Sequence, residues 1–285
     1  MNSNLVISGG ASHGWTLWGA YKRTRLGVKL RATAGASIGA VIAAIAACGD
    51  IPDYEAEATL KQLTQGNGIV GGAKLVRFHP RLLWARGGGM HDWSYARAAL
   101  KKLFGNKRMS DTKIPLNIVV GDIYTGTSYV ISSNRDPNCL IWEALAASTA
   151  VWPIADAQEI PSLGLGNRLF VDGGWGNNIP TEVFESDTAP TIVISLGLPS
   201  DISPTPVRRD SFVGVVQGCL DLALWDRCDI PMRQDDTLIT INPVGSGFDF
   251  DLSDLAIRAR VFTGWNAARR LRGIVDHSTI DSLFF

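Results

Sequence analysis

The chain has 285 residues, 46% hydrophobic and 19% charged, which is enough length and apolar content for one large globular domain. Lysine plus arginine and aspartate plus glutamate number 27 each, so the formal net charge is zero and no overall field favours a nucleic-acid partner. The four cysteines form no CxxC pair and no metal-ligand spacing with the four histidines, which indicates reduced thiols and excludes the common zinc motifs.

The N-terminal residues pass from polar MNSN directly into LVIS, without the charged start, apolar run and cleavage site of a secretory signal. The longest apolar run, about residues 40–47, is far shorter than the roughly 20 residues that a membrane-spanning helix needs. We therefore expect a cytoplasmic protein without a membrane-spanning segment. Peripheral contact with a membrane surface stays open.

The first fifty residues alternate between strand and helix patterns. We predict two strands and two helices, in the chain order 5–8, 15–27, 28–34 and 38–48. The second helix is apolar on every face, which predicts burial, and Gly49 ends it. This rhythm is typical of a parallel α/β sheet.

The segment from about 50 to 110 departs from this pattern. Glycines cluster at 66–72 and 86–91, and a helix is predicted over 92–105 with Asp92 as its N-cap. We interpret the segment as a cap or insertion beside an active site. Its tryptophans, Trp84 and Trp93, are candidates for contact with a lipid interface, although most tryptophans are simply core residues.

The α/β pattern then resumes without a repeat or a disordered linker, so we predict one domain over residues 1–285. The further predicted strands cover 116–120, 127–132, 169–171, 191–196 and 237–242, with the first two as a hairpin. Two more helices are predicted over 211–225 and 251–273. In the last helix Leu255, Phe262 and Trp265 share a broad apolar side. We expect that side to face the core, while binding to an anionic membrane is the alternative.

The stretch RATAGASIGAV (31–41) places a single serine, Ser37, between Gly35 and Gly39. A strand, GxSxG and then a helix is typical of a nucleophile elbow. In that turn the serine hydroxyl lies at the positive end of the following helix, which favours negative charge. A tight turn used only for packing is the alternative interpretation.

A serine nucleophile also needs backbone donors for an oxyanion. The loop GGASHG (9–14) follows the first strand and precedes a helix, so the N–H groups of Gly9, Gly10 and Ala11 are candidates for an oxyanion hole. A nucleotide-binding turn is the alternative. The loop, however, contains neither GK[ST] nor GxGxxG.

Two bases are open. A triad would use a late histidine such as His277, although an elbow after only two strands fits the usual triad topology poorly. The other candidate is Asp172, which ends a predicted strand in VDGGWGNNIP (171–180) and precedes Gly173 and Gly174. Strand ends of an α/β sheet meet at one edge, so this acid can reach the serine. A plain Asx turn explains the same letters.

In chain order, GGASHG, GASIG, EALAASTAVWP (143–153) and VDGGWGNNIP resemble the patatin-like phospholipase family. The third block is matched by Ala147, Ser148, Ala150 and Pro153. The strand pair from residue 114 to 132 and GFDFDL (247–252) are also similar, so the resemblance covers almost the whole chain.

The resemblance implies a three-layer α/β/α fold with a mainly parallel sheet, an oxyanion loop after the first strand and the elbow after the second. It implies a lipid acyl hydrolase of phospholipase A or lysophospholipase type that uses a Ser37–Asp172 dyad, without a cofactor or metal. The family's loop usually reads GGG-x-[KR]-G, so Ala11 stands at its third glycine and His13 at its basic residue. His13 is a candidate for contact with a lipid phosphate, with a solvated loop residue or a histidine near the nucleophile as alternatives.

The expected partner is a phospholipid or another acyl-ester lipid, and no nucleic acid is expected. The sequence does not predict the oligomeric state. Three other functions stay open: an esterase for soluble esters, an acyltransferase of the same mechanism, and a catalytically silent lipid-binding protein.

Overall fold

The computed structural model describes residues 2–64, 93–197, 230, 232–243 and 252–270. Several of the predictions above fall elsewhere in the chain. Those that lie outside the described residues are Trp84, Asp92, the helix over 211–225, residues 247–251 of GFDFDL, the end of the last predicted helix at 271–273, His277 and the glycine clusters at 66–72 and 86–91.

In the described ranges, eight strands form one sheet in the order β5-β6-β3-β2-β1-β7-β8, with β4 also paired to β3. The strands are β1 Asn2–Ile7, β2 Lys29–Ala36, β3 Leu116–Asp122, β4 Thr127–Ser132, β5 Gln158–Glu159, β6 Leu169–Asp172, β7 Thr191–Leu196 and β8 Thr237–Ile241. From β3 to β8 all neighbouring pairs on this path are parallel. β4 and β6 run antiparallel to β3, and β5 antiparallel to β6. The mainly parallel sheet is therefore confirmed, as is the β3–β4 hairpin.

Helices flank this sheet. They are α1 Gly14–Thr24, α2 Ser37–Cys48, α3 Asp53–Thr64, α4 Ser94–Phe104, α5 Ile141–Ser148 and α6 Asp254–Ala267. As expected, α2 is buried all round apart from partly buried Ala46, and Gly49 ends it in the left-handed conformation. Within the described part of the chain, no helix is long and apolar enough to cross a bilayer.

The core lies on both faces of the sheet, because successive strand residues point to opposite sides. In β1, Leu5 and Ile7 belong to the large cluster that includes the helices, whereas Val6 packs with Phe184 and Val193 on the other face. This arrangement agrees with the layered α/β fold expected from the sequence.

In the segment expected to form a cap, the described residues form two helices. Here α3 contacts α1 and α4, and α4 packs on α5. Trp93 precedes α4 and is only 4% exposed, with its indole Nε1 donating to Thr149 Oγ1 at 3.4 Å. The suggested interfacial role for Trp93 is therefore wrong, because its ring and its donor are both satisfied inside the protein.

The last helix buries only part of the apolar side that was expected to face the core: Trp265 is 2% exposed. Leu255 and Phe262 are exposed, at 78% and 51%, whereas Arg260 is buried. The cause is a close backbone crossing with α1: a Cβ on Gly264 would lie 1.8 Å from Thr16 O, and one on Gly19 2.0 Å from Val261 O. The glycine contacts, rather than the apolar side, determine the rotation of α6.

Candidate active site

Two strands that use the same edge of β3 in succession bring the candidate nucleophile and the candidate base together. β2 pairs with β3 up to the contact between Ala36 and Val119, and β6 begins to pair at the next residue, where Asp172 is opposite Val120. β4 occupies the other edge of β3 over this length. Ser37, which follows Ala36, is therefore placed beside Asp172 by the strand register alone.

Ser37 donates its hydroxyl hydrogen to Asp172, with 2.5 Å between Oγ and Oδ2. Both side chains are buried, at 6% and 2% exposure. Ser37 has a φ of 53°, a left-handed conformation that L-residues rarely adopt, at the junction of β2 and α2. This strained turn is the geometry expected of a nucleophile elbow.

The two glycines around Ser37 are required by close contacts. A Cβ on Gly35 would lie 2.6 Å from Gly39 O, and one on Gly39 would lie 2.2 Å from Ser8 O. A larger residue at Gly35 would push the start of α2 away from β2, and one at Gly39 would push it away from the end of β1. The flanking glycines thus let the helix begin directly against the strand ends.

Ser148, at the end of α5, links the nucleophile elbow to β3 through two hydrogen bonds. Its Oγ accepts a hydrogen bond from Ser37 N at 2.9 Å and donates one to Val119 O at 2.6 Å. Ser148 belongs to the third family-like block of the sequence, but no structural role was predicted for it. A serine at the end of a mostly apolar helix, IWEALAAS, was the available signal in the sequence.

Ser148→Ala is expected to destabilise the protein by about 1–3 kcal/mol, because Ser37 N and Val119 O would both lose a buried partner. Denaturant unfolding measures the change. Ser133→Ala is the matched control, since its hydroxyl also bonds to two backbone groups, Leu116 N and O in β3, but is only partly buried. Equal losses in the two variants would contradict this account.

The carboxyl group of Asp172 is held in a turn packed against β3. Gly174 N donates to Asp172 Oδ1 at 2.7 Å, and a Cβ on Gly173 would lie 2.2 Å from Val119 O. Burial raises the pKa of Asp172 to about 7, partly offset by the hydrogen bonds from Ser37 and Gly174. The group therefore changes protonation near neutral pH.

The candidate oxyanion loop, residues 9–14, lies beside the nucleophile. A Cβ on Gly9 would be 3.1 Å from Ser37 Cβ. The Gly9 N–H, however, donates to Asn178, at 3.0 Å from the side-chain Oδ1 and 3.3 Å from the backbone O. The Gly9 N–H is therefore already hydrogen-bonded within the protein in this structure. Of the three N–H donors predicted from the sequence, those of Gly10 and Ala11 remain candidates for the oxyanion hole.

Ala11 and His13 are the residues at which the loop differs from the family pattern. Ala11 has a φ of 46°, which a glycine would adopt without strain. His13 is 1% exposed, and its backbone N–H donates to Gly10 O at 2.9 Å. Contact between His13 and a lipid phosphate stays a prediction that requires the loop to open.

The structure also connects this loop to the last helix, which sequence reasoning missed. Arg260 Nη1 lies 2.7 Å from Ser12 Oγ, and both residues are buried. A contact between residues 248 positions apart has no local signal in the sequence.

Fold and site define an α/β protein with a hydrogen-bonded serine and carboxyl group at the ends of its strands. Residues 5–185 match the family model described as Patatin-like phospholipase. Because this match covers well over half of the sequence, the chain belongs to the patatin-like phospholipase family.

Two solved structures are similar to this chain at low sequence identity. VipD from Legionella pneumophila is 12% identical with a TM-score of 0.59, over 94% of this chain and 66% of that one. The type III effector protein ExoU is 13% identical with a TM-score of 0.39, over 94% and 52%. The chain thus spans about two thirds of VipD and about half of ExoU. No curated protein matches the sequence.

Proposed function

We propose that the protein is a lipid acyl hydrolase of phospholipase A or lysophospholipase type, with Ser37 as nucleophile and Asp172 as base. The observation that carries the proposal is the 2.5 Å hydrogen bond between Ser37 Oγ and Asp172 Oδ2 at a strained elbow. Membership of the patatin-like phospholipase family supports the substrate class. The structure of VipD supports the fold on which this site is built.

In the proposed first step, Asp172 accepts the hydroxyl proton while Ser37 Oγ attacks the acyl carbonyl carbon of the ester. The carbonyl electrons move to oxygen, and the N–H groups of Gly10 and Ala11 stabilise that oxyanion. Such donors contribute about 10²–10³ in rate each. The N-terminus of α2, directly after Ser37, adds partial positive charge at the same place.

Collapse of this intermediate expels the alcohol, which takes the proton from Asp172, and leaves an acyl-serine. A water molecule then gives its proton to Asp172 and attacks the acyl group, and Ser37 Oγ leaves with that proton. A base whose pKa lies near the working pH suits both steps. The pKa of about 7 that burial gives Asp172 supports this role without a histidine.

The proposal predicts release of fatty acid from mixed phospholipid vesicles and from a soluble p-nitrophenyl ester, and at least about 10³-fold lower turnover in Ser37→Ala. Ser3→Ala is the matched control, because Ser3 is also fully buried but lies near the start of β1. It should keep both turnover and stability. Wild-type turnover in Ser37→Ala would exclude Ser37 as the nucleophile.

The same assay separates the other candidate functions. A preference for the soluble ester over vesicles would indicate an esterase, and an acylated alcohol as product would indicate an acyltransferase. A silent lipid-binding protein would release nothing and would not react with a fluorophosphonate probe. Labelling of wild type but not of Ser37→Ala would instead support the proposed nucleophile.

A further inference from the structure

We propose that Arg260 is a positioning residue for the oxyanion loop: its guanidinium holds Ser12 and thereby fixes the N–H groups of Gly10 and Ala11. This inference rests on the proposed function, since it assigns those groups to the oxyanion. It adds a residue from the last helix, beyond the 5–185 range of the family match.

The position of Arg260 follows from the packing of α6 on α1. Gly264 lies against Thr16 and Gly19 against Val261, so the two helices touch through their backbones. Because the helices cross this closely, the side chain of Arg260, in the first half of α6, lies inside the protein and is only 8% exposed. A buried guanidinium is costly unless it is hydrogen-bonded.

Arg260 donates to a fully buried hydroxyl in the loop, at 2.7 Å from Nη1 to Ser12 Oγ. A hydrogen bond from a charged donor is shorter and stronger than one between neutral groups. Ser12 follows Ala11 directly, so this contact restrains the chain one residue from a candidate donor. It also places a positive charge next to the segment that would face an oxyanion.

Hydrogen bonds restrain the loop on both sides of Gly10 and Ala11, whose N–H groups are the candidate donors. On one side the Gly9 N–H bonds to Asn178, in the chain that follows Asp172 and its glycine turn. On the other side Ser12 bonds to Arg260. Between the two ties Ala11 adopts its left-handed φ of 46°, a strained conformation that persists only where the surroundings hold it.

Removing the Arg260 tie should therefore let Ala11 relax and move the donor N–H groups away from the oxyanion. A displacement of about 1 Å in a catalytic group can cost about 10²-fold in rate. Donors that act only on the transition state lower kcat rather than raise KM when they are lost. The expected signature is a selective loss of kcat.

The experiment compares kcat and KM for a soluble p-nitrophenyl ester in wild type, Arg260→Met, Arg260→Lys and Ser12→Ala. We expect Arg260→Met and Ser12→Ala each to lower kcat about ten- to a hundredfold with KM within about twofold. Arg260→Lys should recover part of the loss, because it restores a cationic donor. In the Arg260→Met/Ser12→Ala double variant, the loss of kcat should be about as large as in either single variant, since both substitutions break the same hydrogen bond.

Arg23→Met is the matched control for the loss of a buried arginine between the same helices. Arg23 is 6% exposed and lies 5.4 Å over the Trp265 ring, but its position is on α1, away from the loop. It should lower the melting temperature about as much as Arg260→Met and leave kcat within about twofold. Equal kcat losses in both variants, or none in either, would overturn the proposal.

A readout that does not depend on turnover separates this inference from the proposed function. Hydrogen exchange of the backbone amides of residues 9–14 should become faster in Arg260→Met and Ser12→Ala but not in Arg23→Met. If the wild-type protein hydrolyses nothing and exchange is still faster in Arg260→Met and Ser12→Ala, the tie would be supported and the proposed function contradicted. Unchanged exchange and kcat beside an active wild type would contradict the inference alone.

Discussion

Asp172→Asn is expected to lower ester hydrolysis at pH 8 by about 10³-fold while raising the stability of the protein at that pH. The amide keeps both hydrogen-bonding positions, since its oxygen can accept from Gly174 N and its NH₂ can donate to Ser37 Oγ. It cannot accept the serine proton. The side chain would then fit the site without performing the chemistry.

The gain in stability follows from the raised pKa of the Asp172 carboxyl group. Unfolded, this group titrates near 3.8, whereas burial raises its pKa to about 7 in the folded protein. Between these values the folded state holds a proton that the unfolded state has lost, so stability falls as the pH rises. Above about pH 7 the folded protein carries the full penalty of a buried charge.

Asp172→Asn removes that penalty at high pH and changes little at low pH. The melting temperature should exceed that of wild type by on the order of 5 °C at pH 8, with a smaller difference at pH 5. Wild-type kcat/KM should rise about tenfold per pH unit up to about pH 7 and then level off, because only the ionised carboxylate is a base.

Asp236→Asn is a suitable control, because its expected effect on stability at pH 8 is opposite to that of Asp172→Asn. Asp236 bonds to Arg233 and to Thr191 N near the start of β7, so its loss should lower stability at pH 8 without changing kcat. Near-wild-type turnover in Asp172→Asn would place the base elsewhere, with the histidines as the next candidates. A melting temperature below wild type at pH 8 would contradict the account of the buried charge.

Local patterns in the sequence were sufficient to predict the elements that carry the dyad. Strand and helix periods located β1, α1, β2 and α2, and the GxSxG turn identified Ser37. Asp172 was predicted from its place at a strand end before two glycines. These predictions depend on residues within one turn or one strand, where propensity and spacing act directly.

The contacts that complete the site could not be predicted in this way, because they join distant parts of the chain. β2 and β6 share one edge of β3, Ser148 supports the elbow, and Asn178 takes the Gly9 N–H. The rotation of α6 depends on backbone contacts at Gly264 and Gly19, which its apolar side alone does not predict. Periodicity along one helix contains no information about its crossing partner.

Gly39→Ala is expected to destabilise the protein by about 3 kcal/mol and to abolish turnover. In an open helix the same substitution stabilises by about 1 kcal/mol. Here the added Cβ would lie 2.2 Å from Ser8 O and 2.5 Å from Ile7 O, backbone atoms that β1 holds in place. The start of α2 would have to move, and Ser37 would move with it.

Gly164→Ala separates this close contact from backbone strain. Gly164 has a φ of 74° with nothing within 4 Å of an added Cβ, so alanine there should cost only about 1 kcal/mol and leave turnover unchanged. Denaturant unfolding and p-nitrophenyl ester turnover of both variants test the ordering. A Gly39→Ala protein as stable and active as wild type would mean that α2 has room to carry a side chain there, and the glycine would not be what places the serine. The expected loss, by contrast, would show that the approach of α2 to β1 holds the serine hydroxyl within reach of Asp172.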